Sequence, residues 1–187
     1  MPVSPFNQLG TFVVFALLIL YGVLSDAKTP FLAGRVREIA DYGFGFAVSM
    51  LSFLIAGFTV YLTVMKPSLI LFMANTREDK SRLPWIKVTA FYFLRVMTVY
   101  VAFCLLCLVI KIFGATSGPL SSFLCWFLID AEFSKLWIAR LSLALVGSSV
   151  IHLILLLQSF IYNIYATSMA AICWERQNAD KEAAQKN

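Results

Sequence analysis

The fold is decided by residues 66–87, whose sequence is KPSLILFMANTREDKSRLPWIK. This stretch holds five basic residues against two acidic ones, and the runs on either side of it are almost free of charge. A charged block between two apolar runs is typical of a loop between membrane spans, and cytoplasmic loops carry the excess of Lys and Arg. The pattern therefore predicts a cytoplasmic basic loop at 66–84, and this assignment sets the direction of every other segment.

The composition is that of an integral membrane protein. Of 187 residues, 60% are hydrophobic and 13% are charged, whereas a soluble protein has about 45–50% apolar and about 25% charged residues. The mean hydropathy is +0.83. Four apolar runs are each long enough to supply the roughly 20 residues that a helix needs to cross a bilayer. They predict one all-α transmembrane domain over residues 1–187, with spans at about 5–24, 42–65, 85–113 and 136–165.

Helical extensions are expected beyond the inner ends of these spans. The apolar run SLILFMA, which follows span two, is too short to cross the bilayer. The residues after Tyr165 are rich in strong helix formers, so span four is expected to continue as a cytoplasmic helical tail at 166–187, helical through Trp174 and frayed beyond it. Spans two and three are expected to extend in the same way.

The count of basic residues orients the spans. Four spans place both termini on the side of the 66–84 loop, where the loop block and the tail together hold eight Lys and Arg, against five in the two outer loops. The first ten residues contain no Lys or Arg, which argues against a secretory signal peptide. The sequence predicts a multi-pass protein of the cell inner (plasma) membrane with both termini in the cytoplasm.

The outer loops are expected to be irregular or to lie in the membrane interface. Pro30 and Gly34 are expected to break any long helix over 25–41, with VREIADYG as a short interfacial helix leading into span two. In the second outer loop, LSSFLCWFLI is too short to span and is expected to lie in the interface or to re-enter it. Its neighbourhood contains the aromatic residues of the outer belt: Trp126, Phe127, Phe133 and Trp137.

Small residues follow one face of span two. Gly45, Ser49, Ser52 and Ala56 are spaced by four, three and four residues, and such faces let helix backbones approach closely in lipid. Packing within the chain is favoured, and a contact between subunits is the alternative. Span four carries a polar stripe, since Ser148, His152 and Ser159 are four and seven residues apart and share a face. Together with this stripe, the small-residue face predicts a homo-oligomer, with a tetramer as the first guess.

Polar side chains inside the predicted spans are candidates for function, and five of them are singled out: Arg95, Arg140, Ser148, His152 and Gln158. Such residues usually face the bundle interior or water. Arg95 lies eight residues from Lys87, about 12 Å along the axis, so snorkelling and a functional charge are equally open. For His152, the one histidine of the sequence, a hydrogen bond between helices is favoured over a proton relay.

The sequence contains no motif for catalysis. It lacks the HExxH, GxSxG, P-loop and GxGxxG patterns, and one histidine cannot form a multi-histidine metal centre. Cys104 and Cys107 form a C-x-x-C inside an apolar helix, where packing is favoured over metal or redox work because hydrocarbon disfavours thiolates. We therefore expect no enzyme, no cofactor and no metal. The net charge of +5 indicates that the protein contacts anionic membrane lipids rather than nucleic acid.

Two segments are expected to project into the cytoplasm: the hairpin between spans two and three, and the extension of span four. Both combine charges with apolar residues that are expected to be exposed. Such patches often mark partner sites, and contact with headgroups is the alternative. The residues predicted to bind a soluble cytoplasmic protein are Phe72, Met73, Arg77, Lys80, Arg82, Trp174 and Arg176.

Size and layout give a resemblance over the whole chain. A small four-span protein with cytoplasmic ends and no enzyme motif resembles KwaA, the membrane subunit of the Kiwa antiphage defence system. The resemblance implies a soluble partner, KwaB, that docks from the cytoplasm, and it assigns no role to any single residue. Two classes of function are therefore expected: a non-enzymatic scaffold or sensor that oligomerises and recruits a partner, or a small oligomeric channel lined by the polar stripe of span four.

Overall fold

A computed structural model describes residues 5–25, 28–65, 70, 73, 84–114 and 131–186. These residues form four long α-helices: α1 (Pro5–Leu24), α2 (Thr29–Val64), α3 (Trp85–Phe113) and α4 (Ala131–Lys186). The predicted all-α class is confirmed for this part of the chain. Each helix is long and apolar enough to cross a membrane. The expected 66–84 loop and the interfacial segment before 131 lie almost wholly outside the described residues.

The helix α2 begins earlier than the sequence predicted. It runs without interruption from Thr29, so the expectation that Pro30 and Gly34 break the helix is wrong. The carbonyl of Lys28 accepts hydrogen bonds from the N–H groups of Phe31 (3.0 Å) and Leu32 (3.2 Å). Pro30 therefore lies in the first turn, where a missing N–H costs no helical hydrogen bond.

Burial explains why α2 continues through Gly34. A glycine inside a helix costs about 1 kcal/mol relative to alanine. Leu32, Val36 and Ala40, one helical turn apart, are buried, and burying an aliphatic side chain contributes about 1.5–3 kcal/mol. The apolar face thus outweighs the glycine penalty, and α2 becomes a helix of 36 residues, about 54 Å long.

The helix α4 is the longest element. It has 56 residues and ends at Lys186, so the fraying expected beyond Trp174 does not occur. Ala, Glu, Gln and Lys dominate its last turns, and these residues lose little side-chain entropy in a helix.

The chain divides into two compact units. Unit 1 contains residues 1–52 and 98–156, and unit 2 contains residues 53–97 and 157–187.

In unit 1, α1 runs antiparallel to α4. Asn7 Nδ2 donates a hydrogen bond to the carbonyl of Leu155 (3.2 Å) near the start of α1. Near the end of α1, Gly22 lies against the side chain of Arg140. Residue numbers therefore rise along α1 as they fall along α4.

The other helices of unit 1 meet around a buried tyrosine. Tyr100 is fully buried, and its hydroxyl donates to the carbonyl of Leu153 at 2.9 Å. Gly43 is a point of close approach, because a Cβ there would lie 3.0 Å from the Phe103 ring. At the charged end of α3, Lys111 Nζ pairs with Asp41 Oδ1 at 2.6 Å.

In unit 2, an aromatic cluster surrounds Phe93, which is buried. Its ring centroid lies 4.5 Å from that of Phe58 and 5.5 Å from that of Tyr61. Phe160 of α4 meets the same ring edge-on at 4.8 Å. Aromatic pairs in such geometries contribute about 0.5–1.5 kcal/mol beyond their buried area, so Phe93 joins segments of α2, α3 and α4 within this unit.

The close approach at Gly43 predicts that leucine at this position lowers stability, whereas leucine at Gly34 does not. Gly43→Leu should destabilise the protein by about 1–3 kcal/mol, because its side chain would press on Phe103 and Val150. Gly34→Leu lies on the same helix with nothing within 4 Å of its Cβ, and it should leave stability equal or slightly higher. Thermal unfolding of both purified variants in mild detergent measures the difference. Equal melting temperatures would contradict the packing at Gly43.

Candidate functional site: an exposed face of α4

The C-terminal half of α4 carries large apolar side chains on one exposed face. Tyr162 is 65% exposed, Tyr165 62%, Met169 42% and Ile172 60%. Their spacing is three, four and three residues. This is the a/d spacing with which one helix packs along another.

Exposed polar residues extend this pattern at both ends. Gln158 lies four residues before Tyr162, and Arg176 lies four residues after Ile172; both are exposed. We call the six residues the α4 seam: Gln158, Tyr162, Tyr165, Met169, Ile172 and Arg176. A narrow apolar stripe bounded by an amide and a guanidinium suits contact with another protein chain, since each polar end can make directional hydrogen bonds.

The opposite side of α4 is occupied by the core of unit 2. Phe160 is buried in the Phe93 cluster, and it lies two residues, roughly 200° around the helix, from Tyr162. Thr167 donates its hydroxyl proton to the carbonyl of Asn163 at 2.8 Å. Within unit 2, α4 therefore has one side packed in the core and one side, the seam, open.

The predicted docking residues are placed differently from what the sequence suggested. Met73 is only 2% exposed, so the expectation that its side chain is open is wrong, and Trp174 is partly buried. Arg176 is exposed and belongs to the α4 seam. The other predicted docking residues lie outside the described part of the chain: Phe72, Arg77, Lys80 and Arg82.

Sequence reasoning missed the apolar members of the seam for a geometric reason. It assigned exposure by position along the chain, past Tyr165, and did not ask which side of the helix each residue occupies. The signal was present in the spacing, because Tyr162, Tyr165, Met169 and Ile172 repeat at three and four residues. Trp174 falls off that repeat.

The small-residue face of α2 is open along its whole length. Gly45, Ser49, Ser52 and Ala56 are all exposed, and a Cβ at Gly45 would meet nothing within 4 Å. The favoured packing of this face within the chain is therefore not found among the described residues. Ser49 Oγ donates to the carbonyl of Gly45 (2.9 Å) and Ser52 Oγ to that of Val48 (3.0 Å). These hydroxyls are satisfied inside their own helix.

His152 makes the hydrogen bond between helices that the sequence favoured. Its Nδ1 lies 2.9 Å from Thr11 Oγ1 of α1. Thr11 Oγ1 also lies 2.8 Å from the carbonyl of Asn7, to which its hydroxyl can donate. The contact with His152 joins α1 to α4, and its direction depends on the imidazole tautomer.

A shallow groove of about 300 Å³ lies beside this hydrogen bond in unit 1. Ser148, a member of the predicted polar stripe, lies at its edge; it is buried, and its hydroxyl donates to the carbonyl of Leu145 at 3.2 Å. The residues that line the groove are Gln8, Thr11, Phe12, Phe15, Ser148 and His152.

The other polar residues predicted to lie inside the spans are found in both units. In unit 2, Arg95 and Gln158 are exposed, and Gln158 belongs to the seam. In unit 1, Arg140 is partly buried, with its guanidinium carbon 5.5 Å from the centroid of the Trp137 ring. Of the predicted polar stripe, Ser148 and His152 line the groove, and Ser159 is a partly buried residue of unit 2.

The described residues contain no group of three or more His, Cys, Asp and Glu side chains that could hold a metal ion. Cys107 is fully buried and Cys104 partly buried, and both are free thiols. Cys173, beside Ile172, is an exposed free thiol.

The comparisons with known proteins add no relative. No protein-family model, no curated protein and no solved structure matches this chain.

Proposed function

We propose that this protein is a non-enzymatic scaffold or sensor subunit of the inner membrane, which oligomerises and presents the part of the α4 seam beyond Tyr165, namely Met169, Ile172 and Arg176, to a cytoplasmic protein partner. The observation that carries the proposal is the seam itself, a face of large exposed side chains on the longest helix.

Helix lengths support insertion and projection together. A hydrocarbon core is about 30 Å thick, and α1, with 20 residues, matches it at about 30 Å. The 56 residues of α4 reach about 84 Å, so at the tilts of roughly 0–40° that transmembrane helices adopt, more than half of this helix lies outside hydrocarbon. The charged residues from Glu175 to Lys186 favour the C-terminal end as the part that projects.

The α4 seam supports docking of a protein. Tyrosine, methionine and arginine are enriched in protein interfaces, and Tyr162, Tyr165, Met169 and Arg176 supply these types on one face. A helix with such a face can lie in a groove of a partner or pair with a partner helix. Contact of the same residues with lipid headgroups is the competing explanation.

The open face of α2 supports oligomerisation. Four small residues leave the backbone of this helix accessible, and close backbone approach is the usual basis of helix association in lipid. We assign this face to a second copy of the chain and keep a tetramer as the expected number. The resemblance to KwaA adds antiphage defence as the biological setting and predicts a soluble partner of the same kind as KwaB.

Substitutions in the seam test partner recruitment. Met169→Glu and Ile172→Glu should each lower the amount of co-purified soluble protein at least about tenfold, because a carboxylate would be buried in an apolar contact. The measurement is affinity purification of the tagged chain expressed with its neighbouring genes. Gln177→Glu adds the same charge at an exposed position outside the seam and should change nothing. Recruitment that survives both seam substitutions would refute the seam as the docking site.

Orientation can be tested at two exposed arginines. Arg37 in α2 and Arg176 in α4 are both exposed, so differences in their reactivity report the side of the membrane. In a background without the native cysteines, an impermeant maleimide added to intact cells should label Arg37→Cys and not Arg176→Cys. The reverse result would place the 66–84 loop and the C-terminus outside.

The groove in unit 1 favours a second candidate function, a small oligomeric channel. Gln8, Thr11 and His152 bring polar groups to an open groove between helices that are apolar elsewhere. Several copies arranged around such grooves could enclose a polar path.

The channel candidate makes a separate prediction. Gln8→Leu and His152→Leu should change the ion leakage of liposomes that contain the purified protein, while Met169→Glu should not. Ser148→Leu is a poor probe because Ser148 is buried, and leucine there would test packing. If liposomes that contain the unaltered protein leak no more than protein-free liposomes, the channel candidate is excluded and the scaffold proposal remains intact.

A further inference from the structure

We infer that Arg140, oriented by Trp137 and Gly22, binds the phosphate of a phospholipid headgroup at the end of α1. The inference needs the membrane insertion proposed above, and it does not depend on the α4 seam or on any protein partner.

The stem of Arg140 is held against the backbone of α1. A Cβ at Gly22 would lie 3.3 Å from Arg140 Cγ, 3.6 Å from its Cβ and 3.9 Å from its Cδ. Glycine at this position therefore lets three carbons of the arginine lie directly on the neighbouring helix. Such contact limits the rotamers of a side chain that is otherwise long and flexible.

An aromatic ring lies beside the guanidinium. Arg140 Cζ lies 5.5 Å from the centroid of the Trp137 ring, one turn earlier in α4. Phe133 meets Trp137 edge-on at 6.2 Å. A guanidinium makes contact with an aromatic ring readily because it is weakly hydrated. This contact holds the charged group next to Trp137 and uses none of its N–H donors in a hydrogen bond to a carboxylate.

The described residues supply no anionic partner for Arg140. No carboxylate among them forms an ion pair with it, whereas Lys111 and Arg35 pair with Asp41 and Glu38 at 2.6 and 2.8 Å. Arg140 Nε is itself buried without a hydrogen-bond partner, so an outside anion can reach only the terminal amino groups of this partly exposed side chain. A partly buried cation without a paired carboxylate indicates an anionic partner from outside the described residues.

The position of Arg140 indicates where this partner comes from. Gly22 is two residues before the end of α1, a helix whose length equals the thickness of the hydrocarbon core, about 30 Å. The end of α1 therefore lies at the headgroup level. Exposed aromatic side chains gather there in unit 1, namely Tyr21, Phe133 and Trp137, and tryptophan and tyrosine mark membrane interfaces.

Phosphate is the acceptor that fits. The fork of N–H groups on arginine matches two phosphate oxygens, so that two parallel charge-assisted hydrogen bonds form. The phosphodiester of a phospholipid lies at the same level as Arg140. A competing role is purely electrostatic: the last turn of α1 has no basic residue of its own, and a nearby cation would stabilise its C-terminal dipole. Lysine would serve that role equally well.

Lipid binding to purified variants tests the assignment. The protein in mild detergent is titrated with a short-chain phosphatidylglycerol, and bound lipid is counted by native mass spectrometry. We expect the apparent affinity for one lipid per chain to fall about tenfold or more in Arg140→Gln, since charge-assisted hydrogen bonds are lost. Arg140→Lys should show most of the same loss, because lysine keeps the charge and lacks the fork.

A matched control is available in α2. Arg35 also stacks on an aromatic ring, with its Cζ 5.3 Å from the centroid of Phe31, but it already pairs with Glu38. Arg35→Gln removes the same charge and should leave lipid binding unchanged. Equal loss in both variants would mean that only net charge matters and would overturn the site.

The other outcomes each decide something. Unchanged binding in Arg140→Gln, or full binding in Arg140→Lys, would refute the phosphate site and favour the dipole role. If inorganic phosphate competes with the lipid and binds Arg140 alone with equal affinity, the source is aqueous and the headgroup assignment fails. If Arg140→Gln does not fold, Arg140→Lys decides. If carbonate extracts the unaltered protein from membranes, the proposed membrane insertion is refuted. That result is distinct from a loss of lipid binding in the Arg140 variants.

Discussion

The thickness of the hydrocarbon core is the constraint on which the rest of this structure depends. A segment that crosses about 30 Å of lipid must satisfy its own backbone hydrogen bonds, and an α-helix does so within the segment. The helix α1 fits that distance with 20 residues, whereas α2 and α4 exceed it. In the proposed membrane insertion, this excess length carries side chains beyond the hydrocarbon core, where a protein partner can reach them.

Polar side chains in the apolar helices follow the same logic. Thr11 hydrogen-bonds His152, and Tyr100 donates to Leu153. These two bonds join neighbouring helices and give the polar groups partners in an apolar setting. Among the described residues, Arg140 Nε and Tyr61 Oη are buried without a hydrogen-bond partner. Of these two side chains only Arg140 is a cation, and a cation without a paired carboxylate is informative about what lies next to the protein.

Much of the architecture could be predicted from the sequence, because the lengths of the apolar runs can be read directly from the order of the residues. The helices α1 and α3 occupy the same residues as two of the predicted spans. The start of α2 could not be predicted, since Pro30 and Gly34 act as breakers by local propensity, and only the burial of Leu32, Val36 and Ala40 decides in favour of a helix. The exposure of single side chains could not be predicted either. Met73 and Ile172 are both apolar, and each follows the end of a predicted span, yet Met73 is buried and Ile172 is exposed. The helix face on which a residue lies, and the neighbours of that face, determine its contacts.

The serine and threonine hydroxyls of α2 have a consequence for any assembly built on that helix. Ser49, Ser52, Thr59 and Thr63 each donate a hydrogen bond to a carbonyl three or four residues earlier in α2. A face whose donors are already used inside its own helix offers no directional bond across a contact, so shape alone fixes the alignment of two such faces. Sliding one helix past another by one turn, about 5.4 Å, then breaks no hydrogen bond between them. In the proposed oligomer, two copies of this chain that meet along α2 can therefore shift register at low cost.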